Sequence, residues 1–330
     1  MHALILINYA VFASFLTVFL IEFGIALLLL ISYNSKDKLM KYLMPMWEID
    51  GTFAVFYVVD LEATYPNILP AVGTIYILPV LLAALFFIFR NAFLAYSEYT
   101  GRDATKRSYI MVYSIATIIV AFLALAVLSS SVSGIGVNLV MHSLYITKLL
   151  LNPFSLIIFT LAVLLSLFIT MVTFDIGRTY AEILCAVIAV IIAFAAIYVY
   201  PHYMVSNIFS NAALLAVPVL LIAAAILLHA IKSKTAKYFA ILALFSGVLT
   251  FELAEYPYLF KGAINLNSIV VGSPSASYLL AFSIGGIAVL AVLIGVLIYV
   301  NLRLNGDGGG YAPKRPEAQQ DNVQPGVQHE

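Results

Sequence analysis

Long apolar runs separated by short polar loops dominate the chain. A helix needs roughly 20 apolar residues, at about 1.5 Å rise per residue, to cross about 30 Å of hydrocarbon. Runs of that kind predict helices over 3–32, 47–65, 67–89, 109–130, 153–174, 179–200, 208–230, 237–254 and 279–302, about nine in all. The first run lacks a basic leader and a small-residue cleavage site, which predicts a retained helix rather than a removed signal. The second is the least apolar, with Glu48 and Asp50 at one end and Asp60 and Glu62 at the other.

Composition agrees with the pattern: 64% of the 330 residues are hydrophobic, 10% are charged, and the mean hydropathy is +1.07. These values predict an all-α integral membrane protein, with residues 1–304 as a polytopic transmembrane domain. The remainder, 305–330, is rich in Gly, Pro, Gln and charge and cannot bury enough surface to fold, so it is expected to be a disordered cytoplasmic tail. Short loops rich in Lys and Arg stay cytoplasmic. With the N-terminus outside, fourteen basic residues fall inside, from Lys36 to Arg315, and only Lys148 and Lys261 fall outside. The expected placement is multi-pass in the cell membrane, N-terminus out and C-terminus in. Basic residues dispersed over loops give no nucleic-acid surface. The lone Cys185 forms no intrachain disulfide and reads as a small hydrophobe. Walker, Rossmann and zinc-ligand spacings are lacking, so nucleotide-driven transport and metal hydrolysis have no support.

Charges inside apolar runs are the candidate chemistry, because an ionised side chain at membrane depth costs roughly 3 kcal/mol and needs a partner or water. Glu22, in Phe-Leu-Ile-Glu-Phe-Gly, reads as a proton-relay or charge-pairing group, or as a polar anchor between helices. Glu48 and Asp50 read either as functional carboxylates or as caps at a helix start, where free N–H groups favour negative charge. Arg90, closing Phe-Phe-Ile-Phe-Arg, is either a buried partner or an anchor snorkelling to the headgroups. Of the histidines, His2 and His329 are terminal, His142 and His202 fall in outer loops, and only His229 adjoins a membrane run. A haem held by two histidines needs a second at matching depth, so this chain is expected to ligate none.

These residues resemble subunit II of the cytochrome bd quinol oxidases. That family's second helix opens with Trp-Asp-Gly-Asn-x-x-Trp, runs to an aromatic-Pro pair, and is followed by a helix ending Phe-Phe-Arg. Trp47-Glu48-Ile49-Asp50, Tyr65-Pro66 and Phe89-Arg90 take those places. Leu20-Ile21-Glu22-Phe23-Gly24 is similar to the family's Gly-Phe-Asp-x-Gly, and Leu151-Asn152-Pro153-Phe154 and Tyr256-Pro257-Tyr258-Leu259, followed by the serines from Ser273 to Ser277, add to the likeness. The resemblance spans most of 10–303. Glutamates stand at both aspartate positions, Asp50 replaces the motif asparagine, and Phe53 replaces its second tryptophan.

The resemblance implies two four-helix bundles plus one additional helix. It also implies a heterodimer with a larger subunit I that carries haems b and d, oxidises quinol and reduces dioxygen to water with cytoplasmic protons. A quinone or lipid bound in this chain and a small accessory subunit are further candidates. By position, Glu48 with Asp50 becomes the proton route, and Glu22, Arg90 and Trp47 the interface towards subunit I and its haems. The rival readings are a proton-coupled secondary transporter using Glu22 and Glu48, weakly supported by Pro79 and Pro218, and a membrane anchor subunit of a quinone-linked oxidoreductase.

Overall fold

Proline pushes the residue before it out of the helical region. Tyr65, ahead of Pro66, accordingly ends a helix, its N–H bonded to the Leu61 carbonyl. The computed structural model describes residues 3–66, 73–99, 103–138, 143–177, 179–196, 198–261, 264–266 and 275–306. Its helices are α1 (Ala3–Ile31), α2 (Lys36–Thr64), α3 (Ile77–Tyr99), α4 (Asp103–Ser133), the short α5 (Ile146–Leu150), α6 (Pro153–Phe174), α7 (Thr179–Ala196), the short α8 (His202–Ser210), α9 (Ala213–Ala230), α10 (Ala236–Glu255) and α11 (Ser275–Gly306). Two small antiparallel hairpins, β1 (Val137–Asn138) with β2 (Ser143–Leu144) and β3 (Tyr258–Phe260) with β4 (Ile264–Asn265), dress the loops. Among the described residues, eight helices are long and apolar enough to cross a membrane. The equally long α2 stands outside that group, because Glu48, Asp50, Asp60 and Glu62 dilute its apolar content. The protein is therefore an all-α, multi-pass membrane protein.

The chain divides into two compact units, 1–287 and 288–330; in the second, the described residues are the closing part of α11. Within the first unit, α1 is the central helix and packs on α2, α4, α6 and α10. Around it, α1 pairs with α2 and α3 with α4, while α6 pairs with α7 and α9 with α10. The membrane-crossing part of α1 is two-thirds buried, which explains why it is apolar on every side rather than along one stripe.

Three boundaries differ from the sequence expectation. The third helix, expected at 67–89, runs from Ile77 to Tyr99; residues 67–72 lie outside the described residues. Pro79 then falls in its first turn, where a missing N–H costs nothing, and the apolar pattern resumes beyond Arg90 at Phe93-Leu94-Ala95-Tyr96. The second helix, expected from 47, starts eleven residues earlier at Lys36, so Glu48 and Asp50 lie in its middle and the capping reading is overturned. The run expected at 208–230 divides into α8 and α9 at Asn211. Arg102, Arg178, His2, His142, Ser273 and the tail from 307 onward lie outside the described residues.

One contact fixes how closely the two halves of the first unit meet. A Cβ on Gly24 would overlap Thr170 Oγ1 and the Ser166 carbonyl of α6, so α1 and α6 touch almost backbone to backbone. Small residues allow such approach where lipid supplies no hydrophobic drive. Gly24→Ala is expected to cost about 1–3 kcal/mol through overpacking. Gly247→Ala in α10, where an added Cβ meets nothing within 4 Å, serves as the control and leaves the melting temperature unchanged or slightly raised. Thermal melting of the purified protein checks both.

Candidate functional site

Arginine carries five donors in a rigid fork that can engage two carboxylates at once. Arg90, fourteen residues into α3, is fully buried and does so. Its Nη1 donates to Glu22 Oε1 of α1 at 3.0 Å, and its Nη2 donates to Asp50 Oδ2 of α2 at 2.8 Å. Tyr113 of α4 donates its hydroxyl to the same Glu22 oxygen at 2.6 Å. The helices α1, α2, α3 and α4 thus each contribute one residue to one cluster. The guanidinium is flanked by the rings of Phe87, at 4.3 Å, and Phe19, at 5.7 Å, which exclude water and add cation–π attraction. Glu22 Oε2, Asp50 Oδ1 and Arg90 Nε have no protein partner.

The snorkelling reading of Arg90 is therefore overturned: its side chain points inward and has no exposed surface, so it does not belong among the basic loop residues. Glu22 and Arg90 meet in an ion pair inside the chain, and both are inaccessible from the surface of the isolated chain. Of Glu48 and Asp50 on α2, only Asp50 reaches the cluster. Glu48, two residues earlier, is exposed on an open groove shared with Trp47, Thr52, Asn91 and Phe282. Trp47 is half-buried against the core and walls the same groove. Helical periodicity separates the two acids, since residues two apart face about 200° away from each other.

Three further polar groupings were not singled out from the sequence. Asp60 accepts from Asn8 Nδ2 of α1 at 2.8 Å and from the Ser283 hydroxyl of α11, all three buried. Glu182, at the start of α7, meets His229 Nε2, at the end of α9, at 2.8 Å. Glu252 and Glu255, one turn apart on α10, are both buried. The last pair had a signal: two acids at i and i+3 inside the apolar run Phe251-Glu252-Leu253-Ala254-Glu255. Asn8 and Ser283 had none, because single small polar residues are ordinary in membrane helices.

The model of the family Cytochrome bd terminal oxidase subunit II matches residues 2–302. No curated protein matches the chain. Among solved structures, a chain of the bd oxidase from Geobacillus thermodenitrificans superposes with a TM-score of 0.74 at 18% identity, covering 91% of this chain and 98% of that one; at that identity the likeness speaks for the fold. The cluster of Glu22, Asp50 and Arg90 therefore stands in a chain that belongs to the cytochrome bd terminal oxidase subunit II family.

Proposed function

We propose that this chain supports a haem-bearing subunit I in a quinol:dioxygen oxidoreductase, and supplies part of the route by which cytoplasmic protons reach the site of dioxygen reduction. The observation that carries this reading is the charge count of the buried cluster. Two carboxyls meet one guanidinium, so the cluster holds either one negative charge or one proton beyond the ion pair. Surface-exposed Glu48 collects protons at the groove, and Asp50, whose Oδ1 has no protein partner, receives them inside. A relay needs such a free oxygen; a purely structural ion pair does not.

Orientation follows from charge. The basic residues Lys36, Lys38 and Lys41 open α2, Lys106 and Arg107 open α4, and Lys237 opens α10, which supports a reading with these ends in the cytoplasm and the N-terminus outside. Haems b and d belong to the partner. Among this chain's described histidines, His229 is engaged by Glu182 and His202 is exposed at the start of α8, a pair with no shared depth for axial ligation. An apolar cavity lined by Leu16, Leu125, Ile158, Tyr200, Ile222 and Val248 suits the hydrocarbon part of a lipid or quinone. Quinol oxidation and any accessory subunit belong to the rest of the complex. A secondary transporter would purify alone, and an anchor subunit would bring a soluble iron–sulfur or molybdenum protein; the proposed oxidase brings an integral, haem-rich partner.

Asp50→Asn is expected to slow quinol-driven oxygen consumption by up to about 100-fold. Glu48→Gln acts in the same direction but less, since water at the exposed groove can deliver protons past it. Both variants keep the reduced-minus-oxidised haem spectrum of the purified complex. Haem loss with either variant would assign that residue to structure instead.

Arg90→Ala strands two buried acids and is expected to cost about 3–5 kcal/mol, read as loss of assembled complex or a lower melting temperature. Adding Glu22→Gln to Arg90→Ala removes one stranded acid and should recover part of the loss. A double variant no better than the single one would show that the damage is not electrostatic.

A further inference from the structure

We propose that Glu252 and Glu255, together with the phenols of Tyr9 and Tyr65, form a hydrated site that holds a proton, distinct from the cluster around Arg90 and independent of the route proposed through Asp50.

The site is built from separate elements. Glu252 and Glu255 share a face of α10, one turn apart, and are 4% and 3% exposed. Among the described residues no lysine, arginine or histidine pairs with either. Two buried carboxyls so close, without a cation, cannot both carry charge cheaply, so the pair retains a proton between them. Opposite them, Tyr9 of α1 and Tyr65 at the end of α2 are fully buried, and each hydroxyl lacks a protein partner. Glu252 Oε1 is unpartnered as well. Tyr9 and Tyr65 pack together against Leu249 and Leu253, neighbours of Glu252 on α10, so three unpartnered polar atoms from three elements lie around one stretch of α10 and call for water, which ordinarily makes about three hydrogen bonds at such sites.

Room for that water is present. A cavity of about 260 Å³ is walled by Phe12, Phe15, Tyr57 and Phe87 and reaches Glu252 and Glu255, enough for several waters. Its lining also includes Phe19 and Phe87, the rings that flank Arg90. Tyr57 stacks on Phe15 with centroids 6.0 Å apart and lies 4.8 Å from Phe12, so an aromatic wall separates the two polar clusters. The other titratable groups facing the acids are Tyr57 and Asp60 of α2, Tyr76 ahead of α3 and Tyr203 of α8. Asp60 is satisfied by Asn8 and Ser283, Tyr76 by Ser130 and Tyr203 by the Val132 carbonyl, which leaves the glutamates that line the cavity to bind its water.

Hydrogen–deuterium exchange difference infrared spectroscopy on the assembled complex tests the site without relying on turnover, so its outcome is separable from that of the route through Asp50. The expected result is a deuteration-sensitive carboxylic-acid C=O band that is lost in Glu252→Gln or in Glu255→Gln and shifted in Tyr9→Phe. Should neither glutamine variant assemble, Glu252→Asp keeps an acid in place and must move the band. Spectra of the variants that superpose on that of the unmodified complex would overturn the proposal.

Discussion

Everything around the candidate site depends on one guanidinium placed where hydrocarbon would otherwise be. Arg90 joins α3 to α1 and α2 through two charged hydrogen bonds, and α4 joins through Tyr113. The backbones of α2 and α3 have little direct packing on each other, so a long side chain spans a distance that aliphatic packing does not close. Replacing such a buried network by matched apolar residues is often neutral for stability, whereas removing one member is costly. Its presence in a chain that is 64% hydrophobic is therefore poorly explained by stability alone. A network with one acid more than base can instead change its proton content, and that property fits a subunit of a proton-consuming oxidase.

The arrangement also explains the odd composition of α2. A helix that only anchored in lipid would be uniformly apolar; α2 carries Asp50, Phe53, Asp60 and Thr64 as its buried residues beyond Leu43. Their spacing of three, seven and four residues keeps them on one face, turned towards α1. Asp50 and Asp60 lie about 15 Å apart along the axis and meet Glu22 and Asn8 by way of Arg90 and a direct bond, respectively. The exposed face of α2 carries Val55, Val58 and Val59. Glu48, Thr52 and Glu62 are exposed as well, so what sets α2 apart is the pair of buried carboxylates on its inward face, each of which needs a partner.

Class, membrane character and most helix positions were legible because length and hydropathy report them directly. The importance of Glu22 and Arg90 was legible too, since a charge in an apolar run demands an explanation. What could not be read was register. Glu48 and Asp50 are equivalent in composition, and only the true start of α2 at Lys36 decides which of them points inward. The helix over 77–99 was displaced for a similar reason: apolar residues fill both 67–76 and 91–96, and prolines rather than hydropathy set the boundary. Partners such as Asn8, Tyr113 and Ser283 stayed hidden because nothing in a linear pattern tells which small polar residues face each other across helices.

The buried acids of this chain illustrate four different answers to the same electrostatic problem. Glu22 and Asp50 are answered by a full cation, Asp60 by neutral donors from Asn8 and Ser283, and Glu182 by an imidazole whose charge depends on its own protonation. Among the described residues Glu252 and Glu255 have no cation beside them; they line a cavity, and Glu252 Oε1 is unpartnered. These answers differ in how firmly they fix charge. A guanidinium never gives up its proton, so it pins at least one negative charge beside it. Neutral donors accept an anion but impose none. A carboxyl pair with water fixes nothing and can hold or release a proton according to its surroundings. The chain thus grades from charge held firmly around Arg90 to charge held loosely around Glu252, with aromatic rings between them.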